Sequence, residues 1–193
     1  TASNPTLCGF VYDHDLLKSL TDPRALDCDP QPRGLLQARQ AVCAYYADHD
    51  VEISPDQVVL TTSTSEAYSF LFRLLCDPGS EILVPQPGYP LFDFLATLDD
   101  VRLKAASLVY DHGWQIDPAE LRGAITPATK AIVLVHPNNP TGHFTKSWEA
   151  VELASLCREF DLSLLVDEVF LDYAFTGKNE SFTSGLDGVA VFI

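Results

Sequence analysis

The chain has 193 residues, 47% of them hydrophobic and 20% charged, the composition of a globular protein with room for one sizeable core. Its 12 Lys and Arg against 27 Asp and Glu leave a formal net charge of -15, so nucleic acid would be repelled rather than held. No apolar run approaches the ~20 residues of a membrane-crossing helix, and no basic segment followed by an apolar one opens the chain as a secretory signal would.

The first 33 residues are Pro-rich and irregular, with one short helical piece near Asp15 to Leu20. They are read as an N-terminal segment, and residues 34–193 as one domain. Gly34 to Asp48 has Leu35, Ala38, Val42, Tyr45 and Tyr46 at helical spacing and reads as an amphipathic helix. Gln57 to Thr61 reads as a short apolar strand. Ser63 to Cys76 reads as a helix opened by a capping box, Ser63-Thr64-Ser65-Glu66, and stopped by Asp77-Pro78-Gly79. Glu81 to Val84 is the next strand, Tyr89 to Leu98 a helix and Val101 to Ala105 a strand. Asp117 to Gly123 is a short helix with Asp117 as N-cap. Ala131 to Val135 is a buried strand, Lys146 to Phe160 a helix, Leu162 to Val166 a strand and Val189 to Ile193 the last strand. Strands apolar on both faces and alternating with helices predict an α/β fold: three αβα layers around a mostly parallel sheet.

Cys8, Cys28, Cys43, Cys76 and Cys157 are odd in number, widely spaced and without a CxxC. Cys43, Cys76 and Cys157 fall in helical patterns as small core residues. No zinc-ligand spacing is present, no metal is expected, and a reducing, cytoplasmic setting fits. The chain starts at Thr1, has no Met, and stops within an apolar run, which reads as a truncated C-terminus.

Polar residues cluster where apolar strands end, the usual place for ligands in open α/β sheets. Thr61-Thr62-Ser63-Thr64-Ser65-Glu66 joins a strand to a helix, and its free N–H groups and hydroxyls suit a phosphate; the same residues also make an ordinary helix cap. Pro85-Gln86-Pro87-Gly88-Tyr89-Pro90 is a stiff loop that aims Tyr89, either to stack on a flat ring or to pack at a helix start. His136-Pro137-Asn138-Asn139-Pro140-Thr141-Gly142 is a turn by composition, yet an apolar strand points at it and Asn139 could donate its amide to a phenolic oxygen.

Asp167 ends a strand, either as a turn residue or as a ligand for a cation such as a protonated pyridine nitrogen; Glu168 is the alternative acid. An amide and a carboxylate at neighbouring strand ends suit the two edges of pyridoxal phosphate, whose protonated ring is an electron sink. Other chemistries have less support. Adjacent Asp167 and Glu168 diverge too much for a two-carboxylate hydrolase. His136 and His143 lack a nucleophile elbow or HExxH. His14, His49 and His112 read as solvated. The Gly-rich dinucleotide and GxxxxGK[ST] loops are absent.

With these residues in hand the chain resembles the class I/II, fold-type I, pyridoxal phosphate-dependent aminotransferases over nearly its whole length. The likeness rests on Pro30-Gln31-Pro32-Arg33-Gly34-Leu35, Ser63-Thr64-Ser65-Glu66-Ala67, Pro78 to Pro85 running on to Gly88-Tyr89-Pro90, and the Asn139 turn with Val166-Asp167-Glu168-Val169-Phe170. Each block alone is common; all four in this order are specific. The resemblance implies that Ser63 and Thr64 hold the cofactor phosphate, Tyr89 stacks on the ring, Asn139 bonds the phenolic oxygen and Asp167 pairs with the ring nitrogen. It also implies a homodimer acting on an amino acid and a keto acid.

The chain departs from the family pattern at several positions. Ser63 stands where the family often has Gly. Phe170 stands where it often has a Tyr that bonds the phenolic oxygen, with Tyr173 nearby. Cys28 stands where it often has a Tyr that reaches the partner subunit's phosphate. The family's Schiff-base lysine, its phosphate and substrate arginines and its small C-terminal domain would all follow Ile193. Lys18, Lys104, Lys130, Lys146 and Lys178 do not match the lysine's position. The expected function is thus an aminotransferase, present here without its catalytic lysine. A pyridoxal phosphate-dependent β-lyase or decarboxylase, and a non-catalytic binding or dimerisation module, are the alternatives.

Overall fold

A computed structural model of the chain describes residues 4–175 and 180–193. Lys178, read from sequence as a solvated loop residue, lies outside them. In chain order the regular elements are α1 (Leu36–Ala47), α2 (Thr64–Leu75), β1 (Glu81–Gln86), α3 (Phe92–Leu98), β2 (Arg102–Tyr110), β3 (Trp114–Ile116), α4 (Pro118–Ala124), β4 (Thr129–Val135), α5 (Ser147–Phe160), β5 (Ser163–Asp167) and β6 (Val191–Phe192). The strands form one sheet in the order β3-β2-β1-β4-β5-β6. All its pairs are parallel except the β2–β3 hairpin.

The period-two alternation of a strand divides the core into two halves. Ile82, Val84, Ala131, Val133, Val135 and Leu165 face Tyr68 and Phe72 of α2 and Phe92 and Ala96 of α3. Leu83, Ile132, Leu134, Leu164 and Val166 face Leu121 of α4 and Leu153, Leu156 and Cys157 of α5. Both faces of the sheet are covered, which is why the strands read as apolar runs rather than alternating ones. This is the three-layer α/β arrangement expected from the sequence.

Several boundaries follow local chemistry. Asp117 caps α4 by accepting from the N–H groups of Ala119 and Glu120 at 2.9 and 3.2 Å. The helix expected from Tyr89 begins only at Phe92, because Gly88-Tyr89-Pro90 forms the loop that leaves β1. The N-terminal piece forms a 3-10 helix, His14–Thr21, and none of residues 4–33 is buried.

The expected strand from Gln57 to Thr61 is not formed. Pro55–Gln57 is a 3-10 turn closed by Ser54 and the Gln57 amide, and the following residues lie beside no neighbouring strand. Leu60 is tied instead to the Arg33 carbonyl at 3.0 Å, and Val59 stays exposed. An extended apolar segment needs a ladder partner, and none among the described residues reaches this one. The expected strand ending at Ala105 instead runs on to Tyr110, then turns through Asp111-His112-Gly113 into β3. His112 and Gly113 both have positive φ there, at 53° and 151°.

From β1 the chain passes through α3 to β2 on one side, and then through α4 to β4 on β1's other side. The strand order therefore reverses between β1 and β4, and a crevice opens past their carboxyl ends.

Candidate active site

The loops that follow β1, β4 and β5 meet at this edge. Gly88 turns the first of them. A Cβ there would lie 2.1 Å from the Pro85 carbonyl oxygen, so only glycine fits. Tyr89, the next residue, sets its ring edge-on to Phe92 at 5.8 Å. Phe92 meets Tyr68 of α2 in the same way at 5.0 Å.

Buried polar groups hold the loop after β4. Asn138 donates its amide to the Pro87 carbonyl at 3.0 Å and to Thr141 Oγ1 at 2.8 Å, joining the loops on either side of the crevice. His136 lies between the edges of Phe144 and Phe182. Its Nδ1 accepts from the Thr145 N–H at 3.1 Å, so its Nε2 carries the proton and donates to the Glu180 carbonyl at 3.0 Å. Burial pushes the His136 imidazole below its ordinary value, against the pull of that carbonyl. Glu149, fully buried at the start of α5, accepts from the N–H groups of Ile116 and Lys146 at 2.6 Å each and pairs with His143 Nε2 at 3.0 Å. Burial alone would raise its carboxyl, but the bonds from His143, Lys146 and Ile116 outweigh it and hold the group low.

Asp167 ends β5 opposite Val135 of β4, and its carbonyl accepts from the His136 N–H at 2.8 Å. Both carboxylate oxygens are held: Oδ2 accepts from the Tyr68 hydroxyl at 2.9 Å, and Oδ1 from the Val169 N–H at 3.0 Å. The carboxylate lines a cavity of about 270 Å³ with Thr64, Ala67 and Tyr68 of α2 and Tyr45 and Tyr46 of α1. Burial, with the Asp167 charge next in weight, raises the Tyr68 phenol far above its ordinary value, so it stays a donor. Glu168, which lines the same cavity, accepts from Ser181 Oγ at 2.7 Å and the Phe182 N–H at 2.6 Å. Burial raises its carboxyl against those bonds. It fastens Ser181 and Phe182 to the end of β5 through both of its oxygens, whereas Asp167 is the carboxylate of the pair that is held by a side chain of α2.

At the start of α2, Ser63 Oγ accepts from the Glu66 N–H at 3.2 Å. The expected capping box is displaced by one residue on its return half. The Glu66 carboxylate passes the cap and accepts from the N–H and hydroxyl of Thr62 at 2.7 and 3.0 Å. Thr64 and Ser65 stand in the first turn, where N–H groups have no partner within the helix and point at any anion placed there.

The family model for aminotransferases of class I and II matches residues 18–191. The chain belongs to the class I and II aminotransferases. It is 31% identical over 150 residues to nicotianamine aminotransferase 1 of Oryza sativa subsp. japonica, covering 77% of this chain and 30% of that protein. It is 32% identical over 178 residues to the alanine aminotransferase of Mycobacterium bovis, covering 86% of this chain and 40% of that one. Among solved structures, N-succinyldiaminopimelate aminotransferase of Mycobacterium tuberculosis superposes with a TM-score of 0.82 at 28% identity, covering 91% of this chain and 47% of that one. The chain thus spans less than half the length of each.

The fold of this aminotransferase-family chain sets all five residues singled out from its sequence at one edge of the sheet, but not all in one cavity. Thr64 and Asp167 share the 270 Å³ cavity. Tyr89 reaches it only through the aromatic contacts that end on Tyr68. The Ser63 hydroxyl is committed to capping. Asn139 lines a separate groove of about 890 Å³ with Phe144, Phe170 and Tyr173, and the two cavities have no lining residue in common. Of the two consecutive asparagines it is Asn138 that is buried and clamps loops together. Sequence alone does not mark Tyr68, because an aromatic at helical spacing signals core and nothing local ties it to Asp167. Among the described residues no helix is long and apolar enough to cross a membrane.

Proposed function

We propose that the chain is the cofactor-holding part of a pyridoxal phosphate-dependent aminotransferase that moves an amino group from an amino acid to a keto acid. The observation that carries this reading is the Asp167 carboxylate, held from both sides at a strand end and facing a cavity that also contains the start of α2. An acid fixed in this way suits a pyridinium N–H, and a helix start suits a phosphate. The donors fit the group: a carboxylate for its one cationic edge and first-turn N–H groups for its anion.

In this reading Thr64, with Ser63 beside it, anchors the phosphate through the start of α2. Asp167 keeps the ring nitrogen protonated. Tyr89 covers a ring face. Asn139, which lines the separate groove, would be the amide for the phenolic oxygen. The cofactor, when bound, supplies an electron sink for charge that develops at the substrate's α-carbon. The chain's residues bind, orient and hold a proton at the ring nitrogen. A homodimer in a reducing, cytoplasmic compartment belongs to the same proposal. The first rests on the family resemblance, the second on the thiols of Cys28, Cys43, Cys76 and Cys157, none of which is in a disulfide.

Titration with pyridoxal phosphate, followed by its absorbance and by quenching of Trp114 and Trp148 fluorescence, tests the reading. Saturable one-to-one binding is expected, weakened about tenfold or more in Asp167→Ala by loss of a charge-assisted bond. Absence of binding, or equal affinity in the variant, overturns it. Borohydride reduction is expected to leave the mass of the chain unchanged, since no lysine lines the Asp167 cavity among the described residues.

A further inference from the structure

We propose that Tyr68 is a positioning residue for the cofactor's ring nitrogen, acting through Asp167. The inference rests on the reading above and adds to it a residue that its sequence motifs do not contain.

Tyr68 stands one helical turn after Thr64, so one face of α2 presents both the first-turn donors and the phenol to the same cavity. The phenol ring is buried and fixed on two sides, edge-on to Phe92 at 5.0 Å and tilted against Phe72 at 6.1 Å. A ring held in this way has little freedom to move its hydroxyl, which donates 2.9 Å to Asp167 Oδ2.

A carboxylate offers about four lone-pair directions. The Tyr68 hydroxyl takes one on Oδ2 and the Val169 N–H takes one on Oδ1. The carboxylate is therefore locked in rotation, with its remaining acceptor directions available to a single N–H donor in the cavity. A water molecule in place of the phenol would satisfy the same oxygen without fixing it. Because α2 carries both contacts, the distance from phosphate anchor to acid is set by one rigid helix packed against β5, and not by loops.

The test uses two probes. Pyridoxine 5′-phosphate has the cofactor's ring and phosphate but no aldehyde. Its benzene analogue carries C–H in place of the ring nitrogen. Affinities of both are measured by calorimetry for the wild-type chain, Tyr68→Phe, Asp167→Ala and the double variant. Tyr68→Phe is expected to weaken the pyridine probe about fivefold, as neighbours coupled through one bond do. It should leave the benzene analogue unchanged and add nothing on the Asp167→Ala background. The pH at which the bound pyridine probe loses its ring proton, read from its absorbance, should fall in Tyr68→Phe.

Equal losses for both probes, a loss that persists without Asp167, or no loss at all would overturn the inference. The benzene analogue also reports that the variant is folded. Failure of the cofactor reading itself looks different: the wild-type chain binds neither probe, or binds the pyridine probe no better than Asp167→Ala does.

Discussion

The amide of Asn138 donates to the backbone carbonyl of Pro87 across the point where the strand order of the sheet reverses. This one bond joins the loop that carries Tyr89 to the loop that carries Asn139, 51 residues apart. It is why those two loops keep a fixed relation at the mouth of the crevice.

Asn138→Ala removes this bond and the one to Thr141, and leaves the Pro87 carbonyl without its partner. The expected cost is about 1–3 kcal/mol, read as a lower urea midpoint with an unchanged slope. Asn138→Asp should cost more, because it sets a carboxylate oxygen against a carbonyl oxygen.

Gly88→Ala forces a methyl group to within 2.1 Å of the Pro85 backbone oxygen, where no flexible side chain can yield. The loop has to shift and carries Tyr89 with it. A loss of about 2–3 kcal/mol is expected, with weaker binding of pyridoxal phosphate in the folded variant.

Glu149→Leu removes the acceptor shared by the Ile116 and Lys146 N–H groups and His143. These donors are then buried without partners, at a cost of about 3–5 kcal/mol in urea unfolding. Glu149→Gln keeps the shape and one acceptor oxygen and should lose about half as much.

The buried His136 gives the fold a defined sensitivity to acid. Burial places its folded value below that of an unfolded imidazole, and Nδ1 must stay unprotonated to accept from Thr145. Between the two values the unfolded chain binds more protons, so stability rises with pH through that interval. The contribution is complete above the ordinary imidazole range and is lost as pH falls through the folded value. Unfolding measured at stepped pH from neutrality downward should show a progressive loss of stability on this limb. His136→Asn, which keeps an acceptor and cannot titrate, should flatten it.

Part of the candidate site's placement is legible in the sequence. Asp167 and Thr64 stand at element ends that a short window of sequence predicts, and the fold puts them in one cavity. Asn139 was singled out for its position in the turn, but its neighbour Asn138 is the buried one, and sequence spacing carries no sign of which way each side chain points. The strand expected at Gln57 to Thr61 had the right composition, yet composition cannot supply a hydrogen-bonding neighbour. The β2–β3 hairpin is hard to read from sequence because Asp111-His112-Gly113 turns through positive φ at His112, a position where most residues would be strained.

Hydrophobic periodicity, turn residues and the family blocks determined the alternation of helices and strands, the doubly covered sheet and the family to which the chain belongs. These signals are written within a few residues of one another, because they come from the repeat of a helix or strand and the sterics of a turn. Tertiary structure alone decided that Tyr68 meets Asp167, 99 residues away, and that Asn138 spans the reversal to reach Pro87. Such pairs form only when packing has brought separate elements into register.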